Sequence, residues 1–286
     1  MGGVRPEPRG GFDDDAVVDD YELLDAGDEA RLERFGELVV ARPAPGAWSR
    51  RAAPERWADV DLTYAREAGW QGAGLEQARA GWTVGFAGVE LELRPTDAGQ
   101  VGVFPEHATM LPWLIERLRQ RETPSVLHLF ASTGLLTLGM ARAGAAVAHV
   151  DASRPSIAWA RANAARNDMT AAPIRWLVDD ARAFVAREVR RGRRYDGVVL
   201  DPPTYGHGTS GKAWRLERDL PVLLDDIDRL LAPEGFLLLT AHTGSLDPFA
   251  LGGFLGRGVD AGELSLDATS GARLHLGAFA RFDRAA

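Results

Sequence analysis

The 286-residue sequence contains no cysteine. This absence excludes disulfide frameworks, thiolate-bound zinc, iron–sulfur clusters and a cysteine nucleophile. The sequence also lacks an apolar run of the roughly 20 residues that a membrane-spanning helix needs. Its first residues lack the basic and then apolar pattern of a signal peptide, so we expect a cytoplasmic protein.

Basic residues are fewer than acidic ones, and the formal net charge is −8. A uniformly basic surface for binding nucleic acid is therefore not expected. The apolar fraction of 45% and the charged fraction of 26% are those of an ordinary globular protein. A chain of this length can form one large domain, or a main domain with a smaller one.

The N-terminal third of the sequence has a short, broken pattern with many glycines. Residues 1–20 are rich in Gly, Pro and Asp, which predicts a flexible acidic leader. Residues 21–95 predict a small β-rich domain, which is also our candidate for substrate recognition. Its predicted strands are residues 35–40, 59–64, 82–86 and 89–93.

From residue 96 onwards, predicted strands alternate with predicted helices, which indicates a parallel sheet covered by helices on both faces. Two later segments flank a turn and predict a closing antiparallel hairpin. We therefore expect an α/β fold, with a Rossmann-like, mostly parallel sheet in residues 96–286 and a C-terminal antiparallel hairpin. The predicted parallel strands are residues 125–130, 146–150, 174–178, 197–200 and 236–240, and the hairpin strands are residues 263–267 and 274–279.

Small or acidic residues follow each of the first four strands of this predicted sheet, where ligands bind in open α/β folds. The small residues at 131–134 let a ligand approach the backbone at a helix N-terminus. Asp151 stands where a carboxylate can accept the hydroxyl protons of a ribose, and Asp179 and Asp180 follow the third strand. Asp151 and Asp180 can each instead cap a helix. Three successive strands that end in aspartate favour a nucleoside ligand.

The segment Asp201-Pro-Pro-Thr-Tyr205 is the most specific signal in the sequence. Two prolines fix φ and supply no N–H, so the loop is stiff and its carbonyl groups have set directions. Tyr205 can stack on a planar base while Asp201 and the backbone hold the polar edge of that base. The alternative is a rigid turn in which Tyr205 packs as a lid.

Four motifs between residues 127 and 205, taken in chain order, resemble those of class I S-adenosylmethionine-dependent methyltransferases. The last of them is most similar to the ribosomal RNA large-subunit methyltransferase group, whose loop reads Asp-Pro-Pro, any residue, then Phe or Tyr. The resemblance runs from about residue 21 to the end and includes Gly102-Val-Phe-Pro-Glu-His107, where the family has a segment flanking the cofactor. The four motifs are Leu127-His-Leu-Phe-Ala-Ser-Thr-Gly134, Val150-Asp-Ala-Ser153, Asp179-Asp-Ala181 and Asp201-Pro-Pro-Thr-Tyr205.

The resemblance implies S-adenosylmethionine as the cofactor and gives each motif a part of it to bind. It places residues 130–134 around the methionine part, Asp151 at the ribose, and Asp180 with Ala181 at the adenine. The implied catalytic residues, at the methyl-transfer site, are Asp201, Pro202, Pro203 and Tyr205. The implied cofactor-binding residues are Phe104, Glu106, His107, His128, Phe130, Ala131, Ser132, Thr133, Gly134, Asp151, Ala152, Ser153, Asp180, Ala181 and Asp201, with Glu106 and His107 closing over the cofactor.

Three features depart from the family pattern. His128 stands where the family usually has Asp or Asn, and it can equally be a histidine of the core. Ser132 stands where an aromatic residue is common. Relatives that methylate cytosine at C5 carry a cysteine after the fifth strand, where this sequence reads Thr240-Ala-His-Thr-Gly244. Without a thiolate to activate the ring, a nitrogen or oxygen acceptor remains open.

We therefore expect a methyltransferase that acts on a base nitrogen of ribosomal RNA. A small-molecule or protein methyltransferase, and a cofactor-binding module without catalysis, remain alternatives. No metal is predicted, because the six histidines show no metal-ligand spacing. His207 and His242 are candidate proton acceptors, although an exposed histidine in a loop is more often a bystander.

Two local basic groups are candidates for contact with the RNA partner. Arg50 and Arg51 lie beside Trp48 and Trp57, a combination that can contact phosphate and stack on bases. A cluster of arginines at residues 187–194 can also contact phosphate, or it can equally be the solvated end of a helix.

Overall fold

The computed structural model describes residues 19–207, 213–242, 246–256 and 258–284. Asp19 and Asp20 of the predicted leader belong to these residues, and their carboxylates accept hydrogen bonds from the backbone N–H groups of Ala87 and Gly85, each at 2.7 Å. The other leader residues, 1–18, lie outside the described residues.

The N-terminal part of the chain is built mainly from strands. Five of them form one sheet in chain order, in which the third and fourth strands pair in parallel and the other neighbours pair antiparallel. The last two strands form a separate hairpin. The elements are β1 Tyr21–Gly27, β2 Ala30–Phe35, β3 Leu38–Pro43, β4 Leu62–Ala65, β5 Gly69–Gln71, α1 Leu75–Ala80, β6 Trp82–Phe86 and β7 Val89–Leu93.

The strand predictions for the N-terminal part are correct for the β6–β7 hairpin and wrong where a turn separates β2 from β3. The predicted strands 82–86 and 89–93 coincide with β6 and β7. The predicted strand 35–40 is wrong, because Gly36 and Glu37 form a two-residue turn between the paired Phe35 and Leu38. Gly36 has φ of +62°, a conformation that glycine adopts without a steric cost.

Seven strands of the C-terminal part form one mixed sheet, and two short strands form a hairpin apart from it. They are β8 Ser125–Leu129, β9 Ala146–Asp151, β10 Ile174–Val178, β11 Tyr195–Leu200, the separate β12 Tyr205–His207 and β13 Ala213–Arg215, β14 Leu231–Ala241, β15 Asp260–Asp267 and β16 Arg273–Asp283. The sheet order is β10-β9-β8-β11-β14-β16-β15, with the first five strands parallel and the last two antiparallel. The expected mostly parallel sheet with its C-terminal antiparallel hairpin is confirmed.

Helices cover both faces of this sheet. Since successive residues of a strand point to opposite faces, each strand contributes side chains to both helix layers. They are α2 Leu111–Arg119, α3 Leu135–Arg142, α4 Arg154–Arg166, α5 Ala181–Arg190, α6 Leu216–Leu230 and α7 Pro248–Leu255. On β8, Leu127 and Leu129 belong to the cluster formed with α5, α6 and α7, whereas Val126 packs with α2 and α3. Among the described residues, no helix is both long enough and apolar enough to cross a membrane.

The N-terminal part packs directly against α3 and α4. Leu135 and Leu138 of α3 and Ala164 of α4 share a buried cluster with side chains of both N-terminal sheets. Asn163 of α4 accepts a hydrogen bond from the backbone N–H of Glu92 in β7, at 2.9 Å. The two parts therefore share apolar and polar contacts, and a domain boundary near residue 95 stays a prediction.

Candidate functional site

A cavity of about 540 Å³ lies at the carboxyl edge of the parallel strands. This is the edge at which open α/β sheets bind ligands, because loops from several strands converge there. The predicted site residues that line the cavity are Phe104, Phe130, Ser132, Asp151, Ala152, Ser153, Asp180, Ala181, Asp201, Pro202 and Pro203. Six further lining residues, which the sequence did not assign to the cofactor or methyl-transfer site, are Val150, Asp179, Arg182, Thr204, Gly206 and Trp214, and His242, a candidate proton acceptor, also lines the cavity.

Asp151 ends β9, which lies between β10 and β8 in the sheet. Its Oδ2 accepts a hydrogen bond from the backbone N–H of Ser132 at 2.9 Å, and its Oδ1 accepts one from that of Ser153 at 2.8 Å. The predicted alternative, that Asp151 caps the next helix, is wrong, because Ser153 caps α4 through its hydroxyl. Burial raises the pKa of the Asp151 carboxyl, although both hydrogen bonds favour its ionised form.

The loop after β8 brings backbone close to the cavity by adopting left-handed conformations. Phe130 and Ser132 have φ of +54° and +50°, which is uncommon for residues with a Cβ. The loop is braced from outside the cavity, since the hydroxyl of Thr133 donates to the carbonyl of Gly102 and Asn163 Nδ2 donates to the carbonyl of Thr133 at 3.0 Å. Non-glycine residues are held in such conformations where the surroundings fix them, which is typical of functional sites.

Asp180 both caps a helix and lines the cavity. Its Oδ1 accepts hydrogen bonds from the backbone N–H groups of Arg182 and Ala183 at the start of α5. The side chain of Arg182 forms an ion pair with Asp180 at 3.3 Å and also lines the cavity. Capping and a place in the cavity wall are therefore not exclusive for this residue.

The Asp-Pro-Pro loop is fixed by a tryptophan from the separate β12–β13 hairpin. Trp214 Nε1 donates to the carbonyl of Pro203 at 2.6 Å, and its ring lies 5.2 Å from that of Phe130. Trp214 is buried, whereas Tyr205 has 74% of its surface exposed and does not belong to the cavity wall. No sequence pattern pointed to Trp214, because a loop separates it from the Asp-Pro-Pro motif.

Two histidines from distant segments hold the carboxylate of Asp201. Its Oδ2 lies 3.3 Å from His107 Nε2, and its Oδ1 lies 3.2 Å from His242 Nε2 and accepts the Thr240 hydroxyl at 2.7 Å. Burial alone raises the pKa of Asp201, but the charges of His242 and His107 hold it well below its usual range. Burial lowers the pKa of His242, but the charges of Asp201 and Glu106 outweigh this effect and raise the pKa to about 9.

Several predicted site residues lie behind the cavity wall. Glu106 is buried, with its Oε1 3.5 Å from His242 Nδ1, and His107 contacts Asp201 from the same turn. His128 is buried in the core, and its Nδ1 is within hydrogen-bond distance of the Thr137 hydroxyl. The predicted site residues that do not line the cavity are Glu106, His107, His128, Ala131, Thr133, Gly134 and Tyr205. The side chain of His207 and residues 243–245 lie outside the described parts of the chain.

The core beneath the loop holds a chain of buried polar groups. Thr137 Oγ1 lies 2.7 Å from His128 Nδ1 and 2.8 Å from His149 Nδ1. His149 Nε2 is buried and has no hydrogen-bond partner in the part of the chain that the structure describes. Burial lowers the pKa of His149 from 6.5 to about 3. Its imidazole is therefore neutral in the folded protein and protonated in the unfolded protein at mildly acidic pH.

Lowering the pH from 7 to 5 is expected to destabilise the fold through His149. Between pH 6.5 and pH 3 the unfolded chain binds a proton that the folded chain does not, so the free energy of unfolding falls as pH falls. At pH 5 this linkage amounts to about 2 kcal/mol, from about 1.36 kcal/mol per pH unit. Urea unfolding at both pH values measures it, and His149→Phe should remove this part of the loss. An equal loss in the variant would contradict the assignment to His149.

No family model matches the sequence. The crystal structure of the SAM-dependent methyltransferase from Agrobacterium tumefaciens is 34% identical to it, covers 94% of this chain and 92% of that chain, and superposes with a TM-score of 0.87. A structure from Streptococcus mutans, at 15% identity, covers 94% of this chain and 76% of that chain with a TM-score of 0.73, which shows a shared fold.

One curated relative is the ribosomal RNA large subunit methyltransferase K/L of Syntrophotalea carbinolica. It is 32% identical over 152 residues, which are 51% of this chain and 20% of that protein. The chain therefore spans about one fifth of the length of this curated relative.

Proposed function

The chain belongs to the S-adenosylmethionine-dependent methyltransferases, and from this premise we propose that its cavity binds S-adenosylmethionine and that it methylates a base nitrogen of ribosomal RNA. The observation that carries the proposal is one cavity of about 540 Å³ lined by Asp151, Asp180 and Asp201, which follow three different strands. This volume is within the usual range for cofactor sites. Methyl transfer from a sulfonium is a direct displacement, so the protein mainly orients the two reactants and excludes water.

Asp151 is the proposed ribose ligand. Each of its carboxylate oxygens accepts one backbone N–H and has a lone pair left for a hydroxyl group. The two oxygens can therefore accept both hydroxyl protons of a ribose while the backbone keeps the carboxylate in place. The raised pKa of Asp151 fits this role, since a ribose would supply hydrogen bonds that burial takes away.

The remaining lining residues fit the other parts of the cofactor. Asp180 and Ala181, at the start of α5, are proposed to meet the adenine. Ser132 and Phe130 are proposed to lie along the methionine part, with their left-handed backbone giving close access. The loop residues behind the wall, Ala131, Thr133 and Gly134, are proposed to act through the shape of this loop, and His128 through the core beneath it.

Asp201, Pro202 and Pro203 are proposed to line the methyl-transfer site. Pro203 is fixed by the hydrogen bond from Trp214, and the proline pair keeps the loop stiff. Neither Glu106 nor His107 lies in the cavity wall, so His107 is proposed to act through Asp201 and Glu106 through His242. Tyr205 is exposed beside this loop, where it is free to stack on a base of the substrate.

Ribosomal RNA is proposed as the substrate because curated relatives named ribosomal RNA large subunit methyltransferase K/L match about half of the chain. The absence of cysteine favours an acceptor that has its own lone pair, such as a base nitrogen. Among the predicted basic groups, Arg187 pairs with Asp179 and Arg191 pairs with Glu188, so part of the 187–194 cluster forms internal ion pairs.

Arg51 is likewise close to a carboxylate, that of Asp28 at 3.7 Å, so the exposed Trp48 is what favours the surface around it as the RNA-binding surface. This side chain has 76% of its surface exposed and stacks on His275 with ring centroids 5.6 Å apart. Nearby in sequence, the Arg51 guanidinium lies 3.8 Å from the centroid of the Trp57 ring. Stacking platforms beside arginine are typical of surfaces that bind single-stranded nucleic acid.

Transfer of a labelled methyl group tests the proposal. Purified protein is incubated with methyl-labelled S-adenosylmethionine and ribosomal RNA, protein or small-molecule fractions, and labelled nucleosides are identified by mass spectrometry. We expect label on a base nitrogen of large-subunit RNA, and no label with Asp201→Ala. Label confined to the protein or small-molecule fractions would overturn the RNA assignment, and a 5-methylcytosine product would overturn the nitrogen assignment.

A further inference from the structure

Three side chains at the edge of the cavity bring nitrogen and oxygen atoms unusually close together. His107 Nε2 and His242 Nε2 are 3.2 Å apart, and each lies 3.2–3.3 Å from an oxygen of Asp201. His107 comes from the turn before α2, Asp201 follows β11, and His242 follows β14. One potential ligand atom of each lies within 4.8 Å of the others.

Hydrogen bonds alone cannot satisfy this arrangement. If both Nε2 atoms carry protons and donate to Asp201, two N–H groups face each other at 3.2 Å. If one Nε2 is unprotonated, its lone pair instead faces an oxygen of the ionised carboxylate. With Asp201 ionised, at least one of the three close contacts therefore joins two donors or two acceptors, which is unfavourable in a partly buried site.

We propose that His107, Asp201 and His242 form a binding site for a zinc ion at the edge of the cavity. A cation accepts lone pairs from all three atoms at once, which removes the mismatch of donors and acceptors. With zinc–ligand distances of about 2.0–2.2 Å, tetrahedral geometry places ligand atoms about 3.3–3.5 Å apart. The two Nε2 atoms are 3.2 Å apart, and each lies 3.2–3.3 Å from a different oxygen of the Asp201 carboxylate, so these separations are close to the tetrahedral values.

Groups around the three ligands support this assignment. His242 Nδ1 lies 3.1 Å from the carbonyl of Leu276, an orientation that leaves Nε2 available as a metal ligand. The Thr240 hydroxyl donates to Asp201 and orients its carboxylate. Glu106 adds a second buried carboxylate, and its Oε2 has no hydrogen-bond partner among the described residues. Asp201 and Glu106 together offset the charge of a divalent ion.

The site has two histidines and one carboxylate, a ligand set found in zinc sites that keep one position open. Asp201 and His242 also line the cavity, so a fourth ligand can reach the ion from the cavity. The sequence predicted no metal because the ligands come from three separate segments, with the two histidines 135 positions apart. Such a site leaves no local spacing pattern.

Zinc titration of the full chain tests the proposal. Protein treated with a chelator, and then freed of it, is titrated with Zn²⁺ in competition with a chromophoric chelator. We expect one zinc ion per chain. His107→Ala and His242→Ala should each lower the affinity at least about 100-fold, since loss of a ligand costs no less than loss of an outer-shell partner. Co²⁺ in place of Zn²⁺ should give the visible absorption of a four-coordinate site.

His275→Ala is the matched control. This histidine also pairs with a carboxylate, at 3.2 Å from Glu263, but it lies outside the three-residue site. It should leave zinc affinity unchanged. Circular dichroism checks that each variant is folded. If an alanine variant is unfolded, the same histidine is replaced by glutamine instead. Three results would overturn the proposal: absence of zinc binding in the wild type, wild-type zinc affinity in either site variant, or loss of zinc binding in the control. Methyl transfer is assayed separately, so a failure there leaves the zinc result intact.

Discussion

Replacing Glu33 with alanine is expected to lower the free energy of unfolding by about 3–5 kcal/mol, the usual effect of breaking a buried ion pair. Glu33 is completely buried in β2. Its carboxylate accepts hydrogen bonds from Arg42 at 2.6 and 3.2 Å and from the Tyr21 hydroxyl at 3.1 Å, and it lies 3.4 Å from Arg31 Nε. Without this carboxylate, two buried guanidinium groups lose their shared counter-ion.

The pKa of Glu33 supports the same expectation. Burial raises this pKa, but the charges of Arg31 and Arg42 outweigh burial and lower it. The ionised carboxylate is therefore favoured in the folded protein, although no water reaches it. Within the described residues, Nε and Nη1 of Arg31 are buried without hydrogen-bond partners, so this guanidinium depends on the charge of Glu33.

Glu22→Ala is the matched control for this change. Glu22 of β1 pairs with Arg34 of β2 at 3.4 Å, but these two side chains are 40% and 45% exposed. Solvent screens such a pair, so its loss should cost less than about 1 kcal/mol. Chemical denaturation of the three proteins measures the difference. Equal losses of unfolding free energy in Glu33→Ala and Glu22→Ala would show that the buried ion pair of Glu33 contributes no more to stability than the exposed one.

Asp151→Asn is expected to weaken S-adenosylmethionine binding roughly 10- to 150-fold, because hydrogen bonds to a charged group contribute about 1.5–3 kcal/mol. The amide keeps the shape of the side chain but has one acceptor oxygen in place of two. The free energy of unfolding should fall by about 1–3 kcal/mol, because the new amide NH2 faces one of the two backbone N–H groups that donate to the Asp151 carboxylate. Calorimetry gives the dissociation constant, and thermal unfolding without cofactor gives the stability.

Asp168→Asn provides the comparison for this variant. Asp168 is exposed after α4 and has φ of +56°, a conformation that asparagine also tolerates. The substitution should leave both cofactor affinity and stability unchanged. Wild-type affinity in Asp151→Asn would mean that another group holds the ribose, and a loss of stability well beyond about 3 kcal/mol would mean that the carboxylate is needed for the fold.

The predictions from sequence succeeded where one local pattern decides the structure. Residues 174–178 form a strand with the predicted bounds. The first two strands, β1 and β2, were missed. Their buried residues include Asp25 and Glu33, which hydrogen bonds and ion pairs hold inside the protein. Such partners come from elsewhere in the chain, so no periodicity marks these strands.

The residues of the candidate site also fall into those that a local sequence pattern predicted and those that depend on distant parts of the chain. Asp151, Asp180 and Asp201 were found because each directly follows a predicted strand. Trp214 and His242 were not assigned to the site as lining residues, since each reaches the cavity from an element whose place depends on the whole sheet.

The sequence by itself determined the alternation of strands and helices, the acidic residues at the carboxyl ends of the strands, and the absence of a cysteine nucleophile. These properties depend on residue type and on neighbours within a few positions. Only the tertiary structure decided that His107 and His242 meet at Asp201, and that Trp214 rather than Tyr205 lines the cavity. These contacts join distant segments, and their geometry follows from strand order and from the packing of the loops that strand order brings together.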